Sequence, residues 1–319
     1  MQQQLSLLPV TEYAYPADSP LMKRMPLATA SEVRSSAFPA SNNVVVPGKR
    51  GVPTAAQAPY EFRDDDGGLV RMWGPRRERH RRFLDYILFI AKPVAIAGGN
   101  QGFFIDRKDA ARCVFGDKQM YLHIDKLAVE MQHIQVQYVP PGFNDGVGQV
   151  QPLCVDYMSD YRFGVDSAKD GLDAALTLKG YDARQFEGLA FVALGGVYLR
   201  RFLSDISLRY HPALETIYQM DVVAASLARF ALSNDYLRGR PLNDVLDLLG
   251  ASSGSARDRT VAELKHGKDA ELLAELGIAI RLHNGRNCVF YETARDDVKV
   301  IKSRGLHGVA SSRRSLDKA

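Results

Sequence analysis

The last third of the chain carries its clearest alternation of apolar and polar positions. Val223, Leu227, Phe230 and Ala231 recur at helical spacing and predict a helix over 222–234, with Asp221 at its cap. Leu237-Arg238-Gly239-Arg240-Pro241 reads as a turn, and 241–249 as a short helix stopped by Gly250. Residues 256–276 are helical again. Gly267 should break that stretch, because Lys265 and Lys268 would otherwise fall on the apolar side set by Val261, Leu264 and Leu272. Ile278 to Leu282 and Cys288 to Tyr291 are strands around Asn284-Gly285, a two-residue hairpin signal.

A fainter version of this order lies upstream. Tyr60 to Phe62 and Leu69 to Trp73 flank a Gly-containing turn and predict a hairpin. Phe83, Ile87, Ile90 and Ala91 share one helical face, and Pro93 ends that helix. A short strand at 103–105 leads to Asp106, which caps a helix reaching Phe115 and closed by Gly116. A third helix covers 117–132, and strands at 133–139 and 150–157 flank a Pro- and Gly-rich wing. Leu189 to Val192 and Val197 to Phe202 flank Gly195-Gly196 as a further hairpin, and Ser207 to Tyr210 is a strand entering a Pro-started helix at 213–219.

Helices followed by a hairpin, twice over, are the pattern of a winged helix-turn-helix. The expected architecture is α+β, with two tandem winged-helix domains, β-hairpin wings and an extended N-terminal arm. Residues 1–59, with prolines at 16, 20, 26, 39, 47, 53 and 59, form the arm; 60–157 the first domain; 158–187 a linker; 188–294 the second domain; and 295–319 a basic, mobile tail.

Charge changes the picture in one respect. The net value is +4, but residues 1–100 carry 13 Lys/Arg against 9 Asp/Glu, 295–319 carry 7 against 3, and 101–294 carry 21 against 25. A polyanionic partner would therefore have to meet local basic clusters rather than a uniformly basic body. No apolar run approaches the roughly 20 residues of a membrane helix. The first 16 residues lack the basic start and apolar core of an export signal, so a cytoplasmic location is expected. Cys113, Cys154 and Cys288 stand at no metal-like spacing and read as free thiols.

In a winged helix, the N-terminal part of the second helix of the turn meets base edges, and the wing meets phosphates. That singles out Ser255, Arg257, Arg259, Thr260, Lys265 and Lys268, with Asn284 and Arg286 on the wing. The upstream unit offers Lys118, Gln119 and Lys126, while His123 reads as a half-buried packing residue. The run Arg76-Arg77-Glu78-Arg79-His80-Arg81-Arg82 is the densest basic segment, and Arg76 and Arg77 are its candidate phosphate contacts.

Catalytic signatures are missing. There is no phosphate-binding P-loop, H-E-x-x-H or G-x-S-x-G, and no His-x-His pair of the kind that holds the cation of a Tyr-dependent nickase. Asp64-Asp65-Asp66 beside Gly67-Gly68 reads as a solvated turn rather than a metal cluster. Neither an enzyme nor a cofactor is expected.

The stretches LRYHPALETIYQMD (208–221), LRGRPLNDVLDLLG (237–250) and DAELLAELG (269–277), set in this order of elements, resemble bacterial plasmid replication initiators of the Rep type. The resemblance implies tandem winged helices that bind direct repeats in double-stranded DNA at an origin and melt neighbouring duplex. It also implies recruitment of host helicase and polymerase factors and a monomer–dimer equilibrium. A transcriptional regulator, a partition factor and a protein-binding winged-helix adaptor share the same pattern.

Overall fold

The computed structural model describes residues 28–41, 59–64, 67–90, 102–144, 148–159, 188–198, 206–234, 236–251, 254–291 and 301–304. Strand β1 (Ala28–Thr29) runs into a short helix α1 (Ala30–Val33), then β2 (Tyr60–Arg63), β3 (Leu69–Trp73) and helix α2 (Glu78–Ile90). β4 (Gly102–Asp106), α3 (Arg107–Phe115), a 3-10 turn at Lys118–Met120, α4 (Tyr121–Gln132), β5 (Gln135–Val139), β6 (Val150–Pro152) and β7 (Cys154–Ser159) follow. Then come β8 (Leu189–Leu194), β9 (Ile206–Arg209), α5 (His211–Gln219), α6 (Val222–Leu232), β10 (Leu237–Pro241) and α7 (Leu242–Leu248). α8 (Ser255–His266), α9 (Lys268–Glu275), β11 (Ile278–His283), β12 (Arg286–Tyr291) and β13 (Ile301–Arg304) complete the described order. The chain is mixed α+β, and among the described residues its antiparallel sheets have the orders β2-β3-β5-β6, β4-β8-β7, β1-β9-β13 and β10-β12-β11.

Local signals are realised where local chemistry suffices. The Asp106 carboxylate accepts from the backbone N–H of Lys108 and Asp109 at 2.8 and 3.0 Å, and Gly116 closes α3 at φ +79°. Asn284 and Gly285 take φ +49° and +74°, the two left-handed residues that a tight hairpin turn requires. Gly267 separates α8 from α9. Asp221 occupies the cap position of α6 without a side-chain cap bond; its own N–H donates instead to the Asp269 carboxylate at 3.2 Å.

Four expectations about organisation are corrected. Residues 28–41 are not part of a free arm: β1 pairs with β9, Ala28, Thr29 and Ala30 are fully buried, and Ala40 N–H donates to Leu249 O at 2.8 Å. Residues 301–304, assigned to a mobile tail, pair with β9 from its other side. The hairpin around Gly195-Gly196 is replaced by β8 lying between β4 and β7, so a strand placed in the second domain completes a sheet of the first. Buried apolar side chains from Ala28 to Tyr291 form one connected core in place of two separate ones. Most of the expected linker, 160–187, lies outside the described residues.

Helix α2 runs through this shared core with charged side chains inside it. Arg81 reaches Glu32 of α1 at 2.6 Å and Asp85 at 2.7 Å. Arg229 of α6 donates its Nε to Asp85 at 2.9 Å and pairs with Glu78, which also accepts from Ser226 at 2.7 Å. Tyr210 donates to Asp85 at 2.7 Å and Tyr198 to Glu32 at 3.1 Å. Burial opposes the Arg229 charge, yet Asp85 and Glu78 outweigh it and raise its pKa. The network joins the N-terminal segment, α2 and α6.

His80 is fully buried on the same helix, with Nε2 at 3.0 Å from the Glu130 carboxylate and no hydrogen-bond partner at Nδ1. Burial, only partly opposed by Glu130, holds its pKa below the ordinary 6.5. A lowered histidine stabilises the fold above the unfolded value, and that contribution is lost as pH falls below 6.5 towards the folded-state value. Urea midpoints are therefore expected to drop over this interval, and His80→Gln to flatten the drop. An unchanged pH dependence in that variant would reject the assignment.

Candidate nucleic-acid interface

The segment 237–241, expected as a turn, is instead strand β10, because its alternate residues fit one edge of a sheet. Leu237 is buried, Arg238 and Arg240 are exposed, and Gly239 bulges between them at φ +82°. Register assigns the faces. Leu237, Ile278, Ile280, Val289 and Tyr291 turn to the core, while Arg238 pairs with Phe290, Ala279 with Phe290, Arg281 with Cys288 and His283 with Arg286 on the opposite face. A side chain at Gly239 would meet the Phe290 ring at 3.2 Å and His283 at 3.4 Å, so the glycine lets both rings lie across the strand.

Cations ride on these rings. The Arg238 guanidinium lies 4.9 Å from the Tyr236 ring centre, Arg281 lies 5.9 Å from Phe290, and Arg240 lies 5.3 Å from Phe230 of α6. The His283 ring meets Phe290 edge-on at 5.9 Å. At the wing tip Asn284 and Arg286 are exposed beside Leu282, which is 72% exposed. The three strands together hold four arginines, one histidine and no carboxylate. Residues 242–275 beside them hold seven carboxylates against four Lys/Arg. Positive charge is thus concentrated on the sheet and wing, within an otherwise acidic region of the chain.

The other sequence candidates are spread unevenly. Ser255 and Arg259 are exposed on α8, which packs beside β11. Arg257 turns back to Asp247 at 2.6 Å and to Ala251 O at 3.2 Å, and Thr260 donates to Ala256 O within its own helix. Lys265 is half-buried. Lys268 lies elsewhere, in a cleft with Arg79 and Arg82. On the first half Lys118, Gln119 and Lys126 are exposed, and so is His123, which was expected to be half-buried and meets Phe115 edge-on at 5.7 Å.

The basic run is the main relocation. Arg76 donates to Ala37 O at 2.7 Å, lies 5.0 Å from the Tyr60 ring centre, and has its pKa lowered by burial to about 10. Arg77 pairs with Glu130 at 2.6 Å. Arg81 is enclosed in the ionic network, and Arg82 donates to Tyr218 O at 3.1 Å and to Met220 O. These guanidinium groups hold the fold together rather than forming a solvated stripe. Sequence reasoning missed Arg238, Arg240 and Arg281. Their signal was period-2 placement of arginine in three acid-free strands.

Among the described residues, no helix is long and apolar enough to cross a membrane, and no cluster of three or more His, Cys, Asp or Glu is placed to hold a metal ion. No protein-family model matches the chain, and no curated protein matches it in sequence. A solved crystal structure of domains 2 and 3 of RctB aligns with 82% of this chain and 96% of that one, at a TM-score of 0.44 and 8% identity. At that level the likeness carries no argument about function.

Proposed function

We propose that this chain binds double-stranded DNA in a sequence-specific way and acts, without catalysing a reaction, as a replication initiator at a plasmid origin with direct repeats. The observation that carries the proposal is the acid-free β10–β12–β11 sheet and its wing, with Arg238, Arg281 and Arg286 on one face. Helix α6, strand β10, helices α7, α8 and α9, then a hairpin, in the strand order β10-β12-β11, support a winged-helix reading of residues 222–291. In that reading the exposed N-terminal residues of α8, Ser255 and Arg259, face base edges, and the wing arginines hold phosphates. Lys118, Gln119 and Lys126 supply a second, smaller contact. The shared core sets the spacing of the two contacts rigidly, so register along the repeats replaces the high local concentration a flexible tether would provide.

The Rep-like stretches at 208–221, 237–250 and 269–277 favour initiation over regulation. Host helicase and polymerase factors and a second copy of the chain are the partners this reading names. The test is fluorescence anisotropy of the full chain on a labelled array of direct repeats and on a scrambled duplex, over a range of salt. Four phosphate contacts predict that log affinity falls with log salt at a slope near −3.6, about −0.9 per phosphate. Binding that is absent, or flat with salt, would instead identify a protein-binding adaptor.

A further inference from the structure

A cleft of about 550 Å³ lies where α3 and the turn after it face α5, α6 and the start of α9. That volume lies within the range of small-molecule sites. Its walls carry Arg79, Arg82 and Lys268 together with Phe115, Glu215 and Asp221. Among the described residues neither Arg79 nor Lys268 is in an ion pair. Arg79 lies 5.3 Å from the Phe115 ring centre. Arg82 is 7% exposed; its Nε has no hydrogen-bond partner and stands 3.8 Å from Glu78, a carboxylate already taken by Arg229.

The charge balance favours an anion for a physical reason. Glu215 and Asp221 are exposed, where water screens them, whereas Arg82 is buried and Arg79 half-buried, where fields are stronger. Burial lowers the pKa of both, reinforced at Arg79 by the Arg77 guanidinium and only partly offset at Arg82 by Glu78, which Arg229 in turn counters. Desolvated cations beside like charges, with Arg82 sharing Glu78 with Arg229, are stabilised by an incoming anion. The Phe115 ring offers a flat apolar surface for the rest of such a ligand.

We propose that this cleft binds a nucleotide-sized, phosphate-bearing anion through Arg79 and Lys268, with the charge of the buried Arg82 adding to the field, at a site separate from the wing sheet. The test is titration calorimetry of the full chain with ATP, followed by competition with inorganic pyrophosphate and with adenosine. ATP should bind, pyrophosphate should displace it, and adenosine should not. Arg79→Gln and Lys268→Gln, both at accessible positions, should each weaken ATP about tenfold, the scale of one charge-assisted hydrogen bond, with thermal unfolding unchanged. Arg79→Gln should leave duplex affinity at its original value. No heat up to about 10 mM ATP, equal binding of adenosine, or full affinity in both variants would overturn the proposal. So would loss of ATP binding in a wing variant such as Arg286→Ala, which would place the anion on the DNA-facing sheet instead.

Discussion

Replacing Arg229 with alanine is expected to destabilise the protein by about 3–5 kcal/mol, the scale measured when one member of a buried ion pair is removed. Asp85 is fully buried and Glu78 nearly so; Glu78 would lose its nearest cation and Asp85 one of its two, Arg81 remaining, in surroundings closed to water. Urea unfolding of the full chain reads this directly. Because Arg229 on α6 ties to α2, the loss should shift one cooperative transition rather than detach one half. Two separate transitions in the unaltered chain would show that the halves fold independently, against the connected core. Glu78→Gln combined with Arg229→Met should cost less than the two changes summed, since the pair leaves no orphaned charge between them.

Alanine at Arg238, Arg281 and Arg286 together is expected to weaken duplex binding roughly a hundredfold, taking about 1 kcal/mol for each exposed charged contact. The slope of log affinity against log salt should fall in magnitude by about 2.7, or 0.9 for each phosphate released. These side chains are exposed on a sheet whose inner face is unaltered, so the fold should persist. Arg259→Ala should act differently: the salt slope stays and discrimination between repeat and scrambled duplex shrinks. A triple variant that binds as tightly as the original would remove the sheet from the interface. Arg257→Ala is expected to have a smaller effect on DNA, because its guanidinium is already held by Asp247 and Ala251 O.

The sequence carried the wing sheet only partly. The hairpin tip at Asn284 and Arg286 was legible because an Asn-Gly turn between alternating strands can be little else. Arg238 and Arg240 were lost because Gly239 and Pro241 look like turn residues, whereas here the glycine makes a bulge and the proline sits at the strand end. Lys268 was assigned to the recognition unit by its position after α8, but the break at Gly267 redirects the chain and sets that lysine across a cleft from α3. The basic run misled most. Seven consecutive polar residues ordinarily mark a solvated face, and here six of them bond to groups 39 to 151 positions away.

What the sequence by itself determined is the set of elements whose ends and turns depend on neighbouring residues. These include the cap of α3 by Asp106, its closure at Gly116, the hairpins β2–β3 and β11–β12, and the break between α8 and α9. Caps, left-handed turns and amphipathic faces are satisfied within a few residues, so composition and spacing suffice. Only the tertiary structure decided that 28–41 and 301–304 flank β9, that β8 completes the sheet of the other half, and which arginines are enclosed. Each of these rests on desolvated groups finding partners far along the chain, such as Arg229 with Asp85 across 144 positions and Arg81 with Glu32 across 49. A buried charge is tolerated only where a counter-charge or hydrogen-bond acceptors meet it, and no local pattern records where those partners will be.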